Sequence, residues 1–177
     1  MDAAAAAPAT QDARPWTDPD DVAGDVLSML AEHVGLDLWM LTHVEGPRQT
    51  ALAVHPSGAI QPGMSLPWSA TFCRRMVAGE APQVASVVSA VPPYAELRGE
   101  LGRLGLGLPG AYIGVPIRRG DGSLYGTLCG FAMRAQPPTL RRHLRLVQFG
   151  GTVIATAIEN DRGPQGEPAV GWPIVGS

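Results

Sequence analysis

The strongest constraint on the fold of this chain lies in AYIGVPIRRGDGSLYGTLCGFAM, residues 111–133. Two apolar, β-prone runs, 111–119 and 123–133, flank Gly120-Asp121-Gly122, the residue types that a tight hairpin turn demands. Along the second run one side reads Tyr125, Thr127, Cys129, Phe131, Met133 and the other Leu124, Gly126, Leu128, Gly130, Ala132. Both sides are apolar, so the strand is expected to be buried on both faces, central in a sheet that is covered above and below.

The rest of the chain supplies the cover. Val22, Val26, Leu27, Leu30 and Val34 fall at helical spacing from about Asp20, with Asp18 or Asp20 as the cap and Gly35 as the stop. Three strands follow, 36–44, 50–56 and a short one over 59–66. Ser69 is read as the cap of a short helix that Gly79 closes; a strand over 82–89 and a helix over 93–104 come next, then a glycine-rich connector, LGRLGLGLPG. After the hairpin, Pro138 opens the longest helix, where its missing N–H costs nothing. Strands joined mostly by hairpins, with helices before and after, give an α+β fold on an antiparallel sheet. Residues 1–19 read as a disordered arm, 20–161 as the domain, and 162–177 as a Pro/Gly-rich tail in which Trp172 and Ile174 stand out as apolar.

Charge narrows the function. All 13 basic residues are arginine, against 16 acidic ones, for a net −3. That balance gives no footprint for nucleic acid or an anionic membrane, and Arg141, Arg142 and Arg145 read as a solvated helix face. The N-terminus lacks a basic n-region and no window approaches 18 apolar residues, so a cytoplasmic location is expected. His33, His43, His55 and His143 show no metal-ligand spacing, although His43 and His55 are expected to face each other across the first hairpin. Neither GxSxG nor a phosphate loop with its lysine occurs, and Glu96 with Glu100 reads as a solvated pair.

Two blocks carry a resemblance: TFCRRMVAGEAPQV at 71–84, and AYIGVPIRRGDGSLYGTLCGF at 111–131. Together, in this order, they resemble the GAF domain, the small-molecule sensing fold of many bacterial signalling proteins, over about residues 20–160. The resemblance implies an antiparallel sheet of about six strands, the terminal helices on one face, a ligand pocket roofed by the middle segments on the other, and dimerisation through the terminal helices. The expected pocket residues are Trp39, Phe72, Cys73, Arg74, Tyr94, Tyr112, Tyr125 and Cys129, with aromatic rings as its wall and Arg74 available to an anionic group. No ligand or cofactor is named by this pattern. The function expected is a sensor without catalysis of its own, signalling to a dimer mate or to a partner in trans. A redox-active thiol protein and a ligand-free dimerisation scaffold are the alternatives. The chain ends soon after Ile158, so no output domain is expected within it.

Cys73 has several readings. Arg74 follows it, where phytochrome-like GAF domains have a histidine, so tetrapyrrole attachment is not expected. A helix first turn, Arg74 and Arg75 all favour its thiolate, while the stripe of Ala70, Cys73, Met76 and Val77 favours simple packing. Free methionine-R-sulfoxide reductase, an enzyme on this fold, relies on several pocket cysteines. Cys129, on the hairpin strand, is expected in the core or pocket wall rather than as a resolving partner, and a Cys73–Cys129 disulfide is not expected. In the last helix, Leu140, Leu144, Val147, Gly151, Ile154 and Ile158 form a heptad seam, read as a homodimer contact; His143, Leu146, Val153 and Ala157 form part of a second stripe.

Overall fold

The computed structural model describes residues 18–58 and 60–161. The expected arm and tail, with Trp172 and Ile174, lie outside the described residues except for Asp18 and Pro19, which already belong to the first helix and its cap. That helix, α1 (Pro19–Val34), takes Asp18 as its cap, through Asp18 Oδ1 accepting from the Asp20 N–H at 2.9 Å, and stops at Gly35 with φ 73°. The strands that follow build one six-stranded antiparallel sheet in the order β3-β2-β1-β6-β5-β4. They are β1 (Leu38–Glu45), β2 (Arg48–His55), β3 (Ser65–Pro67), β4 (Val84–Ala85), β5 (Ala111–Arg118) and β6 (Leu124–Ala132).

The hairpin that anchors the sequence reading is β5–β6, turned at residues 119–123 by an Arg119 N–H to Ser123 O bond of 2.9 Å. As expected, β6 is central and buried on both faces: Leu128 and Ala132 enter one core, Cys129 the other. The sheet therefore separates two cores. On one face α1 and α5 (Leu144–Asp161) cover Trp39, Leu41, Ile113, Val115, Ile117 and Leu128. On the other, α2 (Phe72–Val77), α3 (Pro92–Ala95) and α4 (Arg98–Arg103) form a roof of short helices.

Several local expectations are corrected. The third strand shrinks from 59–66 to three residues, because Gly63 at φ 90° and a Met64 N–H to Gln61 O bond make a turn there. The strand over 82–89 is only β4, after which the chain enters a 3-10 turn, Val88–Ala90. The helix over 93–104 breaks between Ala95 and Arg98 and ends in a Schellman motif, with Leu106 N–H on Leu101 O at 2.8 Å and Gly105 at φ 76°. The last helix is preceded by a 3-10 turn, Pro138–His143, rather than starting at Pro138. His43 lies opposite Thr50 and His55 opposite Trp39, so the two histidines do not face each other.

The heptad seam on the last helix is inward, which corrects its reading as a dimer contact. Leu140, Val147, Gly151, Ile154 and Ile158 are buried, and Leu144 packs half-buried beside them. The seam covers the sheet and α1, since the same spacing serves a helix lying on its own core. Gly150 and Gly151 allow that approach: a Cβ on Gly150 would stand 2.9 Å from Val26 Cγ1, and one on Gly151 3.1 Å from Val115 Cγ2. Of the second stripe, Leu146 and Val153 remain half-exposed, and Phe149 between them is 63% exposed. No helix among the described residues is long and apolar enough to cross a membrane.

Gly24 offers a simple test of α1. It sits exposed in the helix interior, and a Cβ added there would have no neighbour within 4 Å. Gly24→Ala is expected to stabilise the domain by about 0.8 kcal/mol, raising Tm by about 2–3 °C in a thermal melt.

Candidate functional site

The roof and the sheet meet in a second buried cluster. Thr71, rather than Ser69, caps α2: its Oγ1 accepts from the Arg74 N–H at 3.1 Å and its hydroxyl donates to Trp68 O at 2.9 Å. This cap points Phe72, Cys73 and Met76 down at the sheet, where all three are buried. Tyr94 comes from α3, and its hydroxyl donates to Pro82 O at 2.5 Å. From below rise Tyr112 on β5 and Cys129 and Phe131 on β6. The rings interlock: Phe72 lies 4.9 Å from Tyr94, 5.4 Å from Tyr112 and 5.7 Å from Phe131, and Tyr94 lies 5.2 Å from Tyr112.

Of the expected pocket residues, Phe72, Cys73, Tyr94, Tyr112 and Cys129 are brought together here. Trp39 is not; it is fully buried on the opposite face, against Gly130 and Leu36. The alternation of β1 puts it there, one step out of phase with Met40, which does reach the roof side. Tyr125 lies at the far end of β6, its ring 4.6 Å from that of His43 and 5.3 Å beneath the Arg119 guanidinium. The His43 ring donates through Nδ1 to Tyr125 O at 2.7 Å, since a carbonyl can only accept. Arg74 is at the rim, engaged with Glu80 at 2.8 Å through Nη1, and is not aimed into the cluster. Arg75 and then Arg74 hold the Glu80 carboxyl below the usual carboxylate range.

What makes the cluster chemically unusual is a strip of buried polar groups under Cys73. Gln49 Nε2 donates to Thr42 Oγ1 at 2.7 Å and to Thr127 Oγ1 at 3.1 Å, and the two threonine hydroxyls are 2.7 Å apart. Gln49, Thr42 and Thr127 are 7%, 2% and 0% exposed. An amide N–H can only donate, so both hydroxyl oxygens accept from Gln49; the Thr42 hydroxyl donates to Thr127 O at 3.3 Å, which leaves the Thr127 hydroxyl hydrogen to pass onward, toward the sulfur. Tyr112 O–H donates to Cys73 Sγ at 3.5 Å. Its ring can lie flat along β5 only because the residue two further on is Gly114, where a Cβ would come 2.1 Å from that hydroxyl oxygen.

Donors therefore converge on one sulfur. The Cys129 thiol has the largest effect on Cys73 and lowers its pKa to about 6; burial pushes the other way, and Thr127, Gln49 and Tyr112 reinforce the lowering. The pair titrates as a unit, in which Cys73 is the acceptor and Cys129 the donor: Cys73 and burial hold the Cys129 thiol well above the usual range. The arginines and helix terminus that suggested an acidic Cys73 in the sequence are not what lowers it. Cys129 lies in the same buried cluster as Cys73, at the roof–sheet boundary, close enough for the two thiols to influence each other. Both cysteines are free thiols.

Gln49, Thr42 and Thr127 were missed by sequence reasoning. Gln49 reads as a turn residue in EGPRQ, and only the β-bulge at Leu41/Thr42 sets the face on which it emerges. Tyr112 and Gly114 both lie in the 111–131 block that carries the family resemblance, but the need for a glycine two residues after the tyrosine shows only in the structure. A separate cavity of about 590 Å³ opens on the helix side of the sheet, between Val115–Gly120 and the outer edge of α5 at Thr152, Thr156 and Glu159. Among the described residues no group of three or more His, Cys, Asp or Glu side chains could hold a metal ion.

The sequence pattern of the GAF domain matches residues 18–158. No curated protein sequence matches the chain significantly. Solved structures do. One is free methionine-R-sulfoxide reductase from Neisseria meningitidis in complex with its substrate, similar with TM-score 0.62 and 17% identity over 81% of that chain and 82% of this one. Another is the GAF-B domain of DevS from Mycobacterium smegmatis, with TM-score 0.56 and 17% identity over 98% of that chain and 82% of this one. A third is the A. aeolicus nlh2 GAF domain in an inactive state, with TM-score 0.58 and 17% identity over 85% of that chain and 80% of this one. At these identities the likeness is one of fold.

Proposed function

The chain belongs to the GAF domain family, whose members are generally regulatory sensors, and on that premise we propose that it is a non-catalytic module that binds a small molecule between the α2–α4 roof and the sheet. The observation that carries this reading is the buried strip of Gln49, Thr42 and Thr127 inside an otherwise apolar, aromatic chamber. Convergent polar groups on an apolar wall are the pattern of a small-molecule site. The rings of Phe72, Tyr94 and Tyr112 occupy the chamber, so a ligand enters by displacing the roof. The roof is suited to that, being built from helices of six, four and six residues. A ligand that favours the displaced arrangement shifts the population toward it. The movement would pass through the sheet to α1 and α5, whose outer face carries Leu146, Phe149 and Val153 for a second copy or a partner.

The interlocked rings also favour a second reading, a dimerisation scaffold whose chamber stays filled by its own side chains. Native mass spectrometry of the chain purified without added ligand separates the two. The expected spectrum is a dimer carrying extra mass that is lost on denaturation. A bare dimer with no bound mass would replace the sensor by the scaffold, and a bare monomer would remove both.

A further inference from the structure

We propose that Cys73 and Cys129 are a redox-modification site, at which a small hydroperoxide oxidises Cys73 and Cys129 closes on it as an intramolecular disulfide, tying roof helix α2 to strand β6. The inference deepens the reading of the same chamber, and its test is read on the thiols alone, so either can fail while the other stands. Three observations carry it. The only two cysteines of the chain come from opposite walls of one chamber, α2 and β6, and both belong to the same buried cluster, where their thiols influence each other. Their surroundings assign different roles, because the Tyr112 hydroxyl donates to Cys73 at 3.5 Å, with the Gln49–Thr127 strip beside it, whereas Cys129 is itself a donor to Cys73. A sulfur that accepts several hydrogen bonds is held as the nucleophile, and its thiol neighbour is placed to follow it. Finally, the chamber walls are apolar and both sulfurs are buried, which admits a small uncharged oxidant on local opening of the roof and excludes a bulky one.

The chemistry balances. The Cys73 sulfur attacks one oxygen of ROOH: an S–O bond forms, the O–O bond breaks, and the proton shed by the Cys73 thiol leaves on the alcohol ROH. The Cys129 sulfur then attacks the sulfenic sulfur: the S–S bond forms, the S–O bond breaks, and hydroxide leaves with the Cys129 proton as water. Two thiols lose two electrons and two protons, and the hydroperoxide becomes ROH and water. An added dithiol reverses the change by thiol–disulfide exchange.

The test treats the reduced full chain with a few equivalents of hydrogen peroxide, denatures it, blocks free thiols and records intact mass and a non-reducing peptide map. Both thiols are expected to disappear together with a mass loss of about 2 Da, reversed by dithiothreitol, and the Cys73 and Cys129 peptides of one chain should be joined. In Cys129→Ser, Cys73 should accumulate a sulfenic acid that dimedone traps; in Cys73→Ser, Cys129 should stay reduced. The exposed Met64 and Met133 provide a clock within the same sample. Both thiols surviving after those methionines have become sulfoxides would overturn the proposal. So would a disulfide joining two chains, or trapping at Cys129 in Cys73→Ser.

Discussion

Ile154→Asp abolishes cooperative folding: in a thermal melt followed by circular dichroism the variant shows no native transition. Ile154 is fully buried in the core shared by α1, α5 and the sheet. The buried polar residues among the described ones are Thr42, Gln49, Thr71 and Thr127, and none is cationic. An unpaired carboxylate there must stay ionised in an apolar interior or take up a proton, and either course costs several kcal/mol. A domain of this size has only about 5–15 kcal/mol to lose. The same substitution has a different outcome if the heptad seam faces outward: the protein would stay folded and change only its oligomeric state. A folded, monomeric Ile154→Asp would therefore refute the inward assignment. Ile154→Val, which removes one methyl group, should cost about 1 kcal/mol and lower Tm by about 3 °C.

That seam shows where the sequence was legible and where it was not. Periodicity identifies a stripe and its helix, and both are present; it carries no information about what the stripe touches, so a 4-3 spacing that lies on its own sheet looks like one that lies on a partner. The β5–β6 hairpin was legible because its signal is local: two apolar runs around a Gly-Asp-Gly turn. The short strands β3 and β4 were overdrawn because three- and two-residue ladders depend on their neighbours, not on their own propensity. In the candidate site, α2 and β5 bring Phe72, Cys73 and Tyr112 into one buried cluster, as a helix and a neighbouring strand read from local signals can. Trp39 required the phase of β1, and Gln49 required the bulge at Leu41/Thr42, and neither is encoded within a window of a few residues. That Cys73 and Cys129 share one cluster depends on how a helix capped by Thr71 sits over a strand more than fifty positions later. It is a tertiary fact that the spacing of two cysteines cannot express.

Gly126→Ala carries that last dependence into an experiment. On central strand β6, a Cβ at this position would stand 1.8 Å from Thr42 O, 2.7 Å from Thr42 C and 3.0 Å from His43 Cα. All three atoms are backbone of β1, so no rotamer relieves the clash, and the two strands must part. Forcing even one methyl into a packed interior costs about 3 kcal/mol at the upper end of such changes, which is a Tm fall of about 6–12 °C. The damage is not confined to stability. Thr127 is the next residue, and its hydroxyl lies 2.7 Å from that of Thr42 within the strip that Gln49 ties together. Parting β1 from β6 loosens that strip and weakens its donation to Cys73. At a temperature where the variant is still folded, the rate at which peroxide oxidises Cys73 should therefore need a higher pH to reach its plateau, because the thiolate has lost donors. Gly24→Ala, which meets nothing, should leave that profile where it was while raising Tm. A Gly126→Ala protein with unchanged Tm and an unchanged pH profile would mean that β1 and β6 do not approach as closely as this register requires, and the polar strip beneath Cys73 would lose its support.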